Sequence, residues 1–182
     1  MVGWGLGNPI GDIAVEFIDP VSVFVIELVS GLLLFFALAL VIPSLRSAIK
    51  QVPWKLALPF GLIQPGLAYL LGNIGWQYGT VTTGAILMSS EVIFLAIGGA
   101  LFLREKLNLW SVVALLVGVT GAIIVGIAGQ STNPETSGQF VTVLGMSVSA
   151  GLVGAIAFLG VGLAGAIYGL LMRRLKSDVN TI

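Results

Sequence analysis

The stretch GTVTTGAILMSSEVIFLAIGGALFL, from Gly79 to Leu103, is 25 residues long and contains a single ionisable side chain, Glu91. At about 1.5 Å rise per residue, a helix of this length crosses the roughly 30 Å hydrocarbon core of a bilayer and places its central acid near the midplane. A charged residue at that depth costs roughly 2.5–3.5 kcal/mol on insertion scales. Such an acid is expected to face a cavity or a protein partner, not lipid.

The rest of the chain has the same character. It is 57% hydrophobic and 9% charged, with a mean hydropathy of +1.09, far outside the range of a soluble domain. Apolar runs cover about Pro20 to Pro43, Trp54 to Trp76, Gly79 to Leu103, Leu109 to Ala128 and Phe140 to Met172. Their length predicts helices and not barrel strands, so the expected fold is an all-α polytopic membrane protein. A shorter run, Val2 to Ile18, sets Asn8, Asp12 and Glu16 four apart on one helical face; it can span only if protein covers that face. The N-terminus lacks a basic n-region, so no leader cleavage is expected.

The last run is awkward. As one helix its 33 residues would extend about 50 Å, well beyond the bilayer core. One crossing preceded by an interfacial or kinked stretch is expected, with Gly160, Gly162 and Gly165 as bending points. The segment Gln130 to Gly138, rich in Ser and Thr around Asn133 and Pro134, marks the best boundary in the chain.

All eight Lys and Arg fall in three clusters: Arg46, Lys50 and Lys55; Arg104 and Lys106; Arg173, Arg174 and Lys176. Two crossings separate successive clusters, which puts all three on one face, and the positive-inside rule makes that face cytoplasmic. The opposite connections contain no Lys or Arg.

Zero net charge gives no reason to expect a nucleic-acid partner, and with no Cys and no His there is no thiolate, no imidazole base and no usual metal set. Neither enzymatic activity nor a cofactor is expected. The polar residues within the spans are the candidates for function. Glu27 stands near the outer end of its helix, where it lines a cavity mouth or reaches water. Gln64 and Asn73 are candidates for a wet cavity wall, with Tyr69 and Gln77 on the Asn73 face by i+4 spacing. Trp76, Gln77 and Tyr78 are expected to form an interfacial belt. Gly118, Ala122 and Gly126 form a small-residue stripe four apart, as do Gly165 and Gly169; both predict close helix packing, within the chain more readily than across a dimer. Glu91 either exchanges a proton for a cationic or polar substrate, with Ser89 and Ser90 in hydrogen-bonding range, or serves packing alone.

From Gly72 to Gly129 the chain runs GNIGWQYGTVTTGAILMSSEVIFLAIGGALFLREKLNLWSVVALLVGVTGAIIVGIAG. This resembles the EamA-type members of the drug/metabolite transporter superfamily. Glu91 falls at the family's helix acid, and Leu103, Glu105 and Leu107 match the Leu-x-Glu-x-Leu turn that follows. Trp4 and Gly5, then Pro20, resemble the first helix and the start of the second. Val92 replaces the usual Pro, and Glu27 stands where Arg is commoner. The resemblance covers the first 128 residues well and 138–174 loosely, through Ala166, Tyr168, Arg173 and Arg174.

The resemblance implies one five-helix repeat of an inverted-repeat transporter plus a sixth, long helical segment: a repeat over residues 1–129, an extracytoplasmic linker over 130–138, and over 139–182 the first helix of a second repeat with a basic cytoplasmic tail. Glu105 would organise the turn, or form only a solvated ion pair. The implied function is a secondary transporter of small metabolites or drugs in the cell membrane, an exporter with Glu91 as a route for proton coupling. The implied partners are the bilayer, a small-molecule substrate, and a second copy or complementary repeat, as in the four-helix small multidrug resistance relatives. The alternative is a non-transporting membrane subunit or an incomplete fragment of a ten-helix transporter.

Overall fold

The computed structural model describes residues 2–106, 108–132, 139–143 and 145–179. Leu107 and residues 133–138, which include Asn133 and Pro134 of the expected linker, lie outside the described residues, as do the surroundings of Trp4, Gly5, Asn8, Gly126 and Lys176.

The chain is an all-α polytopic membrane protein, with one short hairpin among the described residues. Helix α1 spans Val2–Phe17 and α2 spans Pro20–Val41. Asp19 caps α2, its Oδ1 accepting from Ser22 N at 3.0 Å, while Pro20 supplies a preset φ at the first helical position. Ser22, through its side chain and then its backbone N–H, holds the Asp19 carboxyl below the usual aspartate range. At the other end Arg46 donates to Ala39 O at 3.4 Å and Leu40 O at 2.9 Å, placing a cation on the free carbonyls of α2. Arg46 belongs to α3, Pro43–Gln51, a short helix with no buried residue.

Helix α4, Trp54–Gly61, runs into one wide π-type turn, Leu62–Leu67, and continues as α5, Ala68–Tyr78. The irregularity centres on Gln64, whose backbone is extended at φ −144° and ψ 116°. Pro65 accounts for it, because a proline excludes the helical region for its predecessor and cannot donate to the turn behind it. Thr80, which accepts from Thr83 N at 3.2 Å, caps α6, Val81–Met88; α7 then covers Glu91–Phe102. Asn108 caps α8, Leu109–Thr132, its Oδ1 accepting from Ser111 N at 2.7 Å. Helix α8 thus continues past Gln130, where the linker was expected to open.

The long last run divides differently from expectation. Near its start are two antiparallel strands, β1 Phe140–Val143 and β2 Met146–Ser149, with Phe140 opposite Ser149 and Val143 opposite Met146. Gly145, at φ 81°, sits in the turn, a left-handed conformation that glycine adopts without penalty. Ala150 N then donates to Gln139 O at 3.0 Å, and α9 proceeds without interruption from Ala150 to Val179. No interruption of the helix falls at Gly160, Gly162 or Gly165. They lie where α9 meets its neighbours, and their missing side chains let other helices close in.

Among the described residues, Pro20–Val41, Ala57–Tyr78, Thr82–Phe102 and Ala150–Leu175 are long and apolar enough to cross a membrane, and Leu109–Ile124 is a shorter apolar helix. Half of the apolar window of α9 is buried, against 11% for α2, so α9 is the interior helix and α2 a peripheral one. Helix α9 packs on α5, α6 and α7. The outer faces of α2 and α8 are lined by exposed Leu32, Leu33, Phe36, Leu116, Val117 and Ile124, an apolar surface suited to lipid and not to water.

The core is built from Val15, Val23, Trp76, Leu87, Ala155 and Phe158. Trp76 and Phe158 meet edge to face, with centroids 4.6 Å apart and planes at 62°. The expected interfacial belt thus loses Trp76, which is buried, whereas Gln77 is exposed and Tyr78 half-buried. The reason lies in the facing helices: Gly11 of α1 and Gly84 of α6 leave a slot that the indole fills.

Candidate functional site

Glu91 lies at a break in the middle of its span. Ser90 N donates to Leu87 O at 3.1 Å and Val92 N to Ser89 O at 3.2 Å, both to the third residue back, before Phe94 N to Ser90 O restores the α pattern. Ser89 contributes to this tightening: its hydroxyl donates to Ile86 O at 2.6 Å, drawing a carbonyl away from the helical ladder. The break forms with Val92 in place of Pro. It starts α7 at Glu91, so the carboxyl occupies the first turn, where the helix dipole favours negative charge.

Across from this break is Gly165 of α9. A β-carbon there would stand 2.7 Å from Glu91 Cδ and 2.8 and 3.0 Å from its two carboxylate oxygens. Gly162, one turn earlier, faces the break itself, with Ser90 Oγ and Glu91 N within 3.0 Å of the same construction. Glu91 is half-buried and directed at a protein helix. Neither neighbouring serine is joined to its carboxylate: Ser89 bonds Ile86 O, and Ser90 Oγ is buried without a partner.

A second polar point joins α2 to α5. Asn73, only 3% exposed, donates from Nδ2 to Glu27 Oε2 at 2.9 Å. Its hydrogen bond to a carboxylate is of the stronger, charge-assisted kind. The structure therefore brings Glu27 and Asn73 together. Tyr69 and Gln77, on the Asn73 face by spacing, are exposed. Gln64 stands apart, half-buried in the wide turn, and Glu91 packs against α9. Among the described residues no group of three or more His, Cys, Asp or Glu could hold a metal ion.

Glu105 sits at one end of the bundle. Gly99 O accepts from both Leu103 N and Glu105 N at 3.1 Å, Arg104 takes φ 54°, and the Glu105 side chain folds back over Gly99. Its Oε1 lies 3.6 Å from Arg173 Nη1, with both side chains about half exposed. A pair of that exposure contributes about 0–1 kcal/mol, so its value here is positional: two of the three basic clusters occur at the same end.

On α8, Gly118 receives Ile93, whose Cδ1 would be 3.2 Å from an added β-carbon, and Ala122 packs on the core. Between α7, α8 and α9 lies a groove of about 360 Å³ lined by apolar side chains and by Ser90. Sequence reasoning missed both the groove and the seat that Gly165 offers to Glu91. The adjacent serines before Glu91 were the available signal.

No curated protein and no solved structure matches the chain. The EamA-like transporter family matches it over residues 1–127, a region that includes the Glu27–Asn73 pair, the break at Glu91 and the turn at Glu105. With more than half its length matched and apolar helices that carry buried polar groups, the chain belongs to the EamA-like transporter family.

Proposed function

We propose that this multi-pass membrane protein is an exporter of small metabolites or drugs, coupled to protons through Glu91. The observation that carries the reading is the position of Glu91, a carboxyl on the first turn of a helix that begins in mid-span, turned toward Gly165 and away from lipid. Ionisable groups held at membrane depth and facing protein are where transporters relay protons and bind substrate. A carboxyl there competes for a proton or for a cationic substrate, and one event displaces the other. The charge-assisted Glu27–Asn73 bond and the irregular turn at Gln64 supply two further polar positions along the same set of helices.

In this reading residues 1–129 form one repeat, 130–138 an extracytoplasmic linker, and 139–182 the first helix of a second repeat. The transport pathway is completed by a complementary repeat or a second copy. The end marked by Arg104, Lys106 and Arg173 is cytoplasmic by the positive-inside rule, and the plasma or inner membrane is the location.

The test is proton flux into liposomes holding the purified chain, with ethidium as a cationic drug and a mixture of free amino acids as metabolites. Flux that depends on added solute and is lost in Glu91→Gln is expected. Equal flux in Glu91→Gln overturns proton coupling, and no solute movement by either protein overturns transport by this chain.

A further inference from the structure

From Thr136 to Met172 the chain carries no charged side chain, and the β1–β2 hairpin lies in that stretch, immediately before α9. Side chains paired across antiparallel strands share a face, and neighbours along a strand alternate. The register sets Val141 opposite Val148 and Thr142 opposite Ser147. One face of the hairpin therefore carries Val141, Val148 and Met146. The other carries Thr142, Ser147 and Ser149, with Phe140 as its apolar member at the end next to α9. Among the described residues the hairpin packs mainly on α9, which leaves Met146 63% exposed; Thr142 and Ser147 are exposed on the opposite face.

Two features bracket where such a hairpin can sit. The outer edges of both strands have no strand partner among the described residues, and open backbone N–H and C=O groups are costly in hydrocarbon, which excludes the bilayer core. A lone two-stranded hairpin is at best marginally stable in water, so open solvent is disfavoured as well. Helix length then fixes the level. Arg173, charged and half exposed, marks one edge of the hydrocarbon. From there back to Ala150 the unbroken α9 rises about 35 Å, against a core of about 30 Å. Ala150 thus stands about 5 Å beyond the opposite edge, in the headgroup layer. We propose that the hairpin is an interfacial anchor for α9. It lies along the bilayer surface at the end opposite Glu105 and Arg173, with Val141, Val148 and Met146 in the headgroup–acyl boundary and Thr142 and Ser147 toward water. Headgroups and water satisfy the strand edges at that level. The partner is the lipid surface itself, and an uncharged hairpin takes neutral and anionic lipid alike. The proposal is independent of proton coupling at Glu91.

The chain has no cysteine, so Met146→Cys and Ser147→Cys, made one at a time in the full chain, each carry a single nitroxide label in phosphatidylcholine nanodiscs. Power-saturation electron paramagnetic resonance compares collisions with oxygen, which concentrates in lipid, and with a neutral, water-soluble nickel chelate. The label at position 146 is expected about 5–10 Å into the headgroup–acyl boundary, rich in oxygen and shielded from nickel. The label at position 147, one residue on, should show the reverse. Exchanging half of the lipid for phosphatidylglycerol should change neither. The pair Val141→Cys and Thr142→Cys puts the same question to β1, and circular dichroism melting verifies that each labelled protein is folded. Nickel reaching both positions of a pair equally places the hairpin in water, and nickel reaching neither places it in hydrocarbon or protein. Spin–spin broadening at position 146 that is relieved by unlabelled chain places a second copy on that face, and a response to phosphatidylglycerol shows recognition of charge. Each of these four results overturns the proposal.

Discussion

Asn73 Nδ2 donates to Glu27 Oε2 at 2.9 Å, across 46 residues of sequence, and fastens the peripheral helix α2 to α5 near the core. Removing Asn73 alone leaves a carboxylate without its buried donor, whereas removing both partners leaves an apolar contact. A double-mutant cycle with Glu27→Leu and Asn73→Leu is expected to return a coupling of about 0.6–1.7 kcal/mol, the range for hydrogen bonds inside membranes. Reversible unfolding in mixed micelles measures it, and additive single effects would contradict the bond.

Gly165 has room for Glu91 only because it has no side chain. Gly165→Ala sets a methyl group 2.7 Å from Glu91 Cδ, and overpacking of this kind costs about 1–3 kcal/mol. The cost should shrink when Glu91→Ala is introduced together with it. A melting temperature that falls equally in both backgrounds argues against the contact.

Trp76 and Phe158 form the aromatic centre of the core. In soluble cores such truncations cost about 3–5 kcal/mol; lipid is as apolar as this core, so Trp76→Ala is expected to cost less, chiefly through the cavity and lost dispersion. Gly84→Val, which intrudes on the indole, should destabilise as well. Tryptophan fluorescence during thermal unfolding reports the second variant, and circular dichroism the first.

The turn at Glu105 and the end of α9 meet at one end of the bundle. Because the chain has no cysteine, Glu105→Cys with Arg173→Cys gives an unambiguous cross-linking pair. A short bifunctional maleimide, which spans the gap that the Glu and Arg side chains bridge and a disulfide does not, is expected to join the two, seen as a band resistant to separation after cleavage between them. In right-side-out vesicles, a membrane-impermeant maleimide should reach Cys at 105 only after lysis if that end is cytoplasmic.

Asp19 contributes a pH dependence. Its carboxyl is held below the ordinary aspartate range by Ser22, so its cap on α2 is fully present above the unfolded-state value, near 3.9, and is lost as pH falls through the lower folded-state value. Protection of the first-turn amides of α2, taken relative to their intrinsic exchange rate at each pH, should therefore fall in acid below about pH 4. Asp19→Asn, which retains a capping oxygen, should remove that dependence.

Much of the fold was legible because hydropathy reports length and depth directly: the spans around α2, α7 and α9 and the lone acid of the fourth apolar run follow from composition. Departures arose where a neighbour determined the outcome. Trp76 beside Gln77 and Tyr78 has the composition of a membrane boundary, yet glycines on two other helices give it a slot. Ser89 tightens its helix through a hydroxyl bond to Ile86 O, a local competition that apolar run length does not register. Phe140 to Ser149 is apolar enough to be taken for membrane, and its alternating Val, Thr and Ser around Gly145 were the missed strand signal. The pairing of Glu27 with Asn73 needed the helices to be set side by side.

Helix α9 covers Glu91, Phe158 closes the slot around Trp76, and both belong to the final helix described. During synthesis from the N-terminus the spans Pro20–Val41, Ala57–Tyr78 and Thr82–Phe102 enter the bilayer before their interior partner exists. Until Ala150 and the residues after it emerge, the Glu91 carboxyl lacks the helix it faces and the Trp76 ring has only α1 and α6 around it. Assembly of this core is thus a late event in the life of the nascent chain, and a pause in translation ahead of Ala150 would expose its most costly group for as long as the pause lasts.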